Sequence, residues 1–497
     1  MRHAAFLRER YKAILGYTGL VALITGLLIL APLALLPLYP DEIGEAGAFL
    51  LPGLALAGPG LLLWRLLVPR TTGALTTQEG MVVVLLAWIL AILAGAVPFM
   101  AGSGLAFYQA VFESTSGWTT TGLSVLDVGQ ATHLILFFRS LTQVAGGAGW
   151  AILMLSALGG PLGPGLGVAE GREDQLVPHV RGSAKLVLRI YLAYIVVGIL
   201  ALYAAGMDWF SAVNHAFSSV STGGFSTRPE SIIYWNSAAV ETVLVILMLL
   251  GATNFYTAYA LFKRNWQEAG HNSELVQMAL MVVAASAILF AGATAERFAT
   301  AGSGLRAAVL TTVNALTTTG FSTYDFREWS GLGHLVLILL MVVGGGTGST
   351  AGALKQYRVY VLSRGLLSEF RRRLQPRSVV WEPEMWRGHE RQVVSDNLVR
   401  QVAVFVFLFV VALVAGTALL VAQGYPLGDS LFEFAAALST AGVSVGIVRP
   451  DSAAAVLWVE TAGMFLGRLE FFAVAVGLVR LASDLPALLS SILPRRR

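Results

Sequence analysis

Long apolar runs separated by short polar turns dominate the chain. Three such runs, over about 13–38, 47–68 and 79–100, each approach the roughly 20 residues that cross a bilayer as a helix. From the third onward one order recurs: a long span, a short apolar stretch, a hydroxyl-and-glycine motif and a second long span. In the first unit the short stretch is about 105–119 and the second span about 132–158. The later units have spans near 184–206 and 238–262, near 275–293 and 331–362, and near 397–422 and 453–482. Their short stretches, 208–220, 305–316 and 429–438, are too short to cross a bilayer and are predicted as re-entrant helices.

The motifs that follow these short helices align on one glycine. They read Thr119-Thr120-Thr121-Gly122-Leu123-Ser124, Ser221-Thr222-Gly223-Gly224-Phe225-Ser226, Thr317-Thr318-Thr319-Gly320-Phe321-Ser322 and Ser439-Thr440-Ala441-Gly442-Val443-Ser444. Recurrence at roughly 100-residue intervals marks a fourfold internal repeat. A single Thr-x-Gly commonly marks close helix packing in a membrane protein; four in register after four short helices do not fit that explanation. Irregular backbone at membrane depth must be surrounded by protein or line water, so the four loops are expected to face one another.

The predicted fold is therefore an all-α polytopic membrane protein. Four pseudo-symmetric helix–pore-loop–helix units surround one central ion pore, after two N-terminal transmembrane helices. The boundaries are 1–74 for the N-terminal pair, then 75–160, 161–265 and 266–365 for three pore units. A cytoplasmic linker at 366–395 precedes the fourth unit and basic tail, 396–497.

Composition agrees with a membrane protein. Only 12% of the 497 residues are charged and 56% are hydrophobic, against about 25% charged in soluble domains. There is no cysteine, hence no disulfide or thiolate chemistry. The basic residues sit in loops between apolar helices, and no basic face with interleaved aromatics is offered to nucleic acid. Lys and Arg crowd the N-terminal arm, the 65–70 turn, the 172–189 region, Lys263-Arg264, the 358–400 stretch and Arg495–Arg497. The loops 39–46, 126–131 and 325–330 are more acidic or sparser in basic residues. The positive-inside rule then puts both termini in the cytoplasm, in keeping with ten predicted crossings. Each unit crosses twice, so successive units keep one orientation; inverted repeats would instead point to a rocking transporter.

Glycine lets successive carbonyls turn toward one axis, and a ring of carbonyls replaces a cation's water shell. The short helices would aim their negative C-terminal ends at the same point. Candidate ion ligands are Thr120, Thr121 and Gly122; Thr222, Gly223 and Gly224; Thr318, Thr319 and Gly320; and Thr440, Ala441 and Gly442. No carboxylate occupies these positions, which favours a monovalent ion over Ca²⁺ or Mg²⁺. Glu113, Arg139 and Gln143 are candidates to brace the filter from behind, or else make simple interface hydrogen bonds. His133, His215 and His334 have no ligand spacing and are assigned no chemistry. The glycine-rich run 159–167 lacks the P-loop Lys-Ser/Thr and a preceding strand, and reads as a connector.

A second glycine cluster, Gly344-Gly345-Gly346-Thr347-Gly348-Ser349-Thr350-Ala351-Gly352, interrupts the last span of the third unit just before Lys355. Five glycines at roughly 1 kcal/mol each relative to alanine cannot hold a steady helix. Arg468, in Phe465-Leu466-Gly467-Arg468-Leu469-Glu470, is an ionisable residue deep in the last span, facing a partner or water.

These motifs resemble the Trk/Ktr/HKT superfamily, specifically its bacterial TrkH-type branch. Residues 112–122 are similar to that family's first pore loop and 220–227 to its second. The two extra N-terminal spans favour Trk over Ktr. The resemblance covers about 75–482 and extends to the first 70 residues by topology only. It implies potassium uptake across a bacterial inner membrane through one pore per subunit, commonly in a homodimer. Glycine at all four filter positions is the family's K⁺-selecting pattern. The second filter glycine of potassium channels is missing, so a shorter filter is expected. The resemblance further makes Gly344, Gly345, Gly346, Thr347, Gly348, Ser349, Thr350, Gly352 and Lys355 an intramembrane gating loop. It places Arg468 in the pore beneath the filter as a barrier to cations; a buried pair with Glu460 or Glu470 is the alternative.

No ATP-hydrolysing motif or cofactor site is evident, so flux follows a gradient, alone or coupled. The resemblance implies control by a separate cytoplasmic ring of TrkA-type nucleotide-binding subunits. A Na⁺- or H⁺-coupled cation or small-solute symporter is the competing function. An intramembrane enzyme would need paired catalytic groups within the spans, and none is evident.

Overall fold

A computed structural model describes residues 2–68, 75–149, 180–265, 267, 270, 272–322, 324–375, 383–387 and 390–492. The connector at 159–167, Arg70, the basic residues 172–179, the far end of the 132–158 span and Arg495–Arg497 lie outside the described residues.

The N-terminal pair is an antiparallel hairpin of α1 (Arg2–Leu30) and α2 (Ala46–Leu67). Glycine makes it close: a β-carbon on Gly26 would stand 2.6 Å from Gly53 O, and one on Gly60 2.5 Å from Leu23 N. Small residues at helix crossings are what apolar surroundings demand, because lipid offers no hydrophobic drive to associate.

The first unit contains α3 (Thr77–Ser103), short α4 (Phe107–Trp118) and α5 (His133–Gly147). The second contains α6 (Val180–Ala204), short α7 (Trp209–Val220), α8 (Ala238–Ala252) and α9 (Phe255–Phe262). The third follows with α10 (Ser273–Leu289), short α11 (Ala301–Leu316), α12 (Gly331–Val343) and α13 (Gln356–Leu374). The fourth has α14 (Asp396–Val421), short α15 (Leu427–Leu438), α16 (Ala454–Leu469) and α17 (Phe471–Ile492). The ring closes where α17 packs on α3, with Leu469, Ala473 and Val474 in the core around Val82 and Leu85.

Three second spans are broken, one at the expected glycine run and two where no break was expected. The predicted helix 331–362 is two helices, α12 and α13, because Gly344, Gly348, Ala353 and Lys355 all take positive φ. α13 is polar and carries Arg358, Arg364 and Arg371–Arg373. The spans predicted at 238–262 and 453–482 each bend, by 115° between α8 and α9 and by 99° between α16 and α17. Among the described residues, six helices and these two bent pairs are long and apolar enough to cross a membrane. The predicted linker 366–395 is also not uniformly irregular. α13 runs into it, and an antiparallel hairpin, β1 (Glu384–Arg387) with β2 (Glu390–Val393), pairs Glu384 with Val393. This hairpin lies in the linker, and the spans and pore helices are all α as expected.

Candidate ion-binding site and gate

The four short helices end identically. In the first, the Thr120 N–H donates to Gly117 O at 3.1 Å and the Thr121 N–H reaches back to Ser116 O at 2.9 Å. The same pair of bonds recurs from Thr222 and Gly223, from Thr318 and Thr319, and from Thr440 and Ala441. This is the Schellman arrangement, which needs a left-handed residue just past the helix. Glycine usually fills that place. Here it is Thr120, Thr222, Thr318 and Thr440, with φ of 58°, 51°, 54° and 51°. A β-branched residue in the left-handed region costs roughly 1–2 kcal/mol, and strain repeated at one register collects at functional positions.

Two residues on, Gly122, Gly224, Gly320 and Gly442 again take positive φ, of 96°, 76°, 87° and 68°. Their contacts trace a closed ring. Gly122 packs on Gly223 O, Gly224 on Thr319 O, Gly320 on Ala441 O, and Gly442 back on Thr121 O. A β-carbon at any of the four would strike the neighbouring unit's carbonyl. The residues before the shared glycine do their common work through the backbone, the N–H closing the helix and the carbonyl meeting the preceding unit's glycine, while the Thr121 and Thr319 hydroxyls also pair with those of Thr119 and Thr317.

A second register holds the first, second and fourth loops from behind, while Asn314 holds the third through Phe321. Nine residues before the shared glycine stand Glu113, His215, Thr311 and Glu433, all buried. Glu113 accepts from Ser124 Oγ at 2.9 Å and the Val125 N–H at 3.0 Å, and Arg139 Nε donates to it at 2.8 Å. Glu433 accepts from Ser444 Oγ at 2.5 Å and from the Val445 and Val448 N–H groups at 2.8 and 3.0 Å. His215 Nε2 lies 3.0 Å from Ser226 Oγ. Gln143 crosses between units, donating to Gly223 O at 2.5 Å and accepting from the Phe225 N–H at 3.3 Å. Glu113, Arg139 and Gln143 thus stand where bracing was expected. His215 and Glu433 were missed, although stepping back nine residues from each aligned glycine finds them.

The two ends of the ring differ. On the side of Leu123, Phe225 and the four motif serines lies an open cavity of about 470 Å³. Against the other side sits the 344–352 loop. Thr350 Oγ1 bonds Val220 O and Gly251 O at 3.1 and 2.9 Å and lies 3.1 Å from Thr222 Oγ1. The Gly352 N–H donates to Thr318 Oγ1 at 2.9 Å, and Gly352 itself abuts Thr440 Oγ1. The loop is fastened further out by the Gly346 N–H to Ala252 O at 2.9 Å and the Thr347 N–H to Glu274 Oε1 at 2.9 Å.

Arg468 fastens the same loop. Its Nη1 donates to Thr350 O at 2.7 Å and its Nη2 to Gly146 O, in the first unit, at 2.5 Å. Glu470, offered above as a possible partner for Arg468, is bound by Arg358 at 2.7 Å. Lys355 lines one small cavity with Ser349, Gly352, Arg468 and Glu470. The sequence-predicted filter residues therefore fall in the ring, and the predicted gate residues in the loop against it or, for Lys355 and Arg468, along the small cavity beside that loop.

Re-entrant helices converging on one ring of carbonyls, inside a shell of apolar spans, define a membrane cation-transport protein with a single pseudo-fourfold pore. Residues 65–291 and 273–485 match the family model TrkH, cation transport protein. The chain belongs to that family. It is 30% identical to an uncharacterized cation transporter of Methanocaldococcus jannaschii, over 94% of this chain and 95% of that one. It is 31% identical to the Trk system potassium uptake protein TrkH of Halomonas elongata, over 94% and 98% of the two chains. The crystal structure of the potassium transporter TrkH from Vibrio parahaemolyticus superposes with a TM-score of 0.80 at 26% identity, covering 94% of this chain and 98% of that one.

Proposed function

We propose that the protein takes up potassium across the cell membrane through a gated, channel-like pore. The carrying observation is the closed ring in which each unit's filter glycine meets the next unit's carbonyl. Such a ring offers permanently placed dipoles to a weakly hydrated monovalent cation. Relatives named as Trk system potassium uptake proteins support K⁺ as the ion. In this proposal Thr120–Gly122, Thr222–Gly224, Thr318–Gly320 and Thr440–Gly442 bind the ion. The 344–352 loop with Lys355 and Arg468 closes the pore beneath them.

The distribution of Lys and Arg supports cytoplasmic termini in an inner membrane, with the 470 Å³ cavity opening outward. Homodimerisation and a cytoplasmic TrkA-type nucleotide-binding ring as gate regulator remain part of the proposal. Same-sense repeats argue against a rocking Na⁺- or H⁺-coupled symporter. Reconstitution into liposomes tests the proposal by comparing K⁺, Rb⁺ and Na⁺ flux with and without Gly122→Ser. The expected result is K⁺ and Rb⁺ flux above Na⁺, with discrimination reduced by the serine. Absence of monovalent cation flux, with or without a regulator, refutes it.

A further inference from the structure

The first and fourth units share a pore-helix glutamate, but the residue behind it changes sign. In the first unit Glu113 holds the outgoing filter strand and α5 answers with Arg139 at 2.8 Å. In the fourth unit Glu433 holds the outgoing strand in the same way, through Ser444 and Val445. The second helices of the two units correspond through one contact: Gly146 abuts Trp118 O, and Gly467 abuts Leu438 O. Arg139 stands seven residues before the first glycine and Glu460 seven before the second. The fourth unit therefore sets a carboxyl where the first sets a guanidinium.

Glu460 is fully buried, and neither of its carboxyl oxygens has a hydrogen-bond partner. Glu433, itself fully buried, lies on the helix packed against it: Gly463, one turn after Glu460, abuts Phe434 and Ala437 of α15. The helices packed on α16 bring further titratable groups. α4 carries Tyr108 and Glu113, α15 carries Asp429 and Glu433, and α14 has Asp396 and Arg400 at its distant start. α17 carries Arg480 and Asp484, which pair with each other, and Arg468 on α16 itself holds the gating loop. Arg139 is bonded to Glu113 and Arg358 to Glu470. Glu433 accepts three hydrogen bonds, the environment of an ionised carboxylate. Two like charges buried side by side are strongly disfavoured, and the pair relieves this by keeping one proton.

We propose that Glu460 is a proton-binding site behind the fourth quarter of the ring, holding a proton while Glu433 stays ionised. Losing that proton as pH rises puts a second negative charge behind the Ser444–Val448 strand and loosens its brace. Its effect on transport rests on the potassium function above; the protonation itself does not.

The test uses the full-length protein in liposomes, with carboxyl-¹³C glutamate and infrared spectroscopy across a rising pH series. A protonated-carboxyl carbonyl band is expected in the unsubstituted protein, lost in one step, and absent in Glu460→Gln. Rb⁺ flux should fall several-fold across the same step, and Glu460→Gln should keep its neutral-pH flux and lose the fall. Absence of the band at neutral pH overturns the proposal whatever the flux. A flux fall that persists in Glu460→Gln overturns the coupling to the filter. Should the glutamine variant not fold, Glu460→Asp serves: it must move the step, and an unmoved step counts against Glu460.

Discussion

Arg468 ties the fourth unit to the 344–352 loop and to the first unit at once, so its replacement separates two explanations of the pore closure proposed for it. One is electrostatic: a positive charge on the ion path repels cations. The other is mechanical: the guanidinium fork joins Thr350 O, at 2.7 Å, to Gly146 O, at 2.5 Å, and so holds the loop under Thr222, Thr318 and Thr440. A hydrogen bond from a charged donor contributes about 1.5–3 kcal/mol. Arg468 is only half-buried, so the two bonds together are taken as about 1.5–3 kcal/mol. At 1.4 kcal/mol per decade, that is a shift of roughly 10–100-fold in the closed-to-open ratio. Arg468→Ala is therefore expected to raise Rb⁺ uptake into proteoliposomes about tenfold or more without any regulator. Arg468→Lys divides the explanations, because lysine keeps the charge and loses the planar two-way fork. Flux in the lysine variant near that of alanine supports the mechanical tie; flux at the unsubstituted level supports the charge. An alanine variant whose flux is unchanged or lower refutes both.

Other substitutions test neighbouring parts of the mechanism. Gly352→Ala places a β-carbon against Thr440 Oγ1 and 2.5 Å from Ser439 O, so the loop must move off the ring. Resting flux should rise several-fold while the order of preference among K⁺, Rb⁺ and Na⁺ is kept; a changed order would put the damage in the filter itself. Glu113→Ala strands Arg139, 2% exposed, without its carboxylate, at a cost of about 3–5 kcal/mol. Thermal unfolding in detergent should show that loss, with partial recovery when Arg139→Met is added. Gly26→Leu drives side-chain atoms into Gly53 O and Ala57 N between α1 and α2, with overpacking expected to cost about 1–3 kcal/mol. That variant should melt earlier yet keep its K⁺ over Na⁺ discrimination, since the hairpin lies outside the ring.

Much of the architecture was legible because membrane depth leaves few options. A run near 20 apolar residues must be a helix, and a 12-residue one must turn back. The shared glycines announced the ring, since each must take a conformation that costs other residues energy. Breaks were harder to read. Gly344–Gly352 showed through composition, but the bends at Thr253-Asn254 and Glu470 carry no comparable signal, and both spans looked continuous. Asn254 caps α9 through the Tyr256 N–H, and Glu470 takes a φ of 59° while bound to Arg358. The Asn254 cap is local but leaves no mark on hydrophobic periodicity, and the tie of Glu470 to Arg358 is tertiary.

The sequence by itself determined which residues could make a ring: four registered glycines, each behind a helix too short to cross, with the threonines beside them. It also marked the loop and the arginine beneath. Only the tertiary structure decided how they meet. It set each glycine against the next unit's carbonyl, hooked Thr350 and Gly352 under three threonine hydroxyls, and turned Arg468 to Gly146 O rather than leaving it merely facing water. The physical reason is that backbone angles and span lengths are local quantities, fixed within a few residues. Contacts between units more than 90 residues apart depend instead on packing all four around one axis.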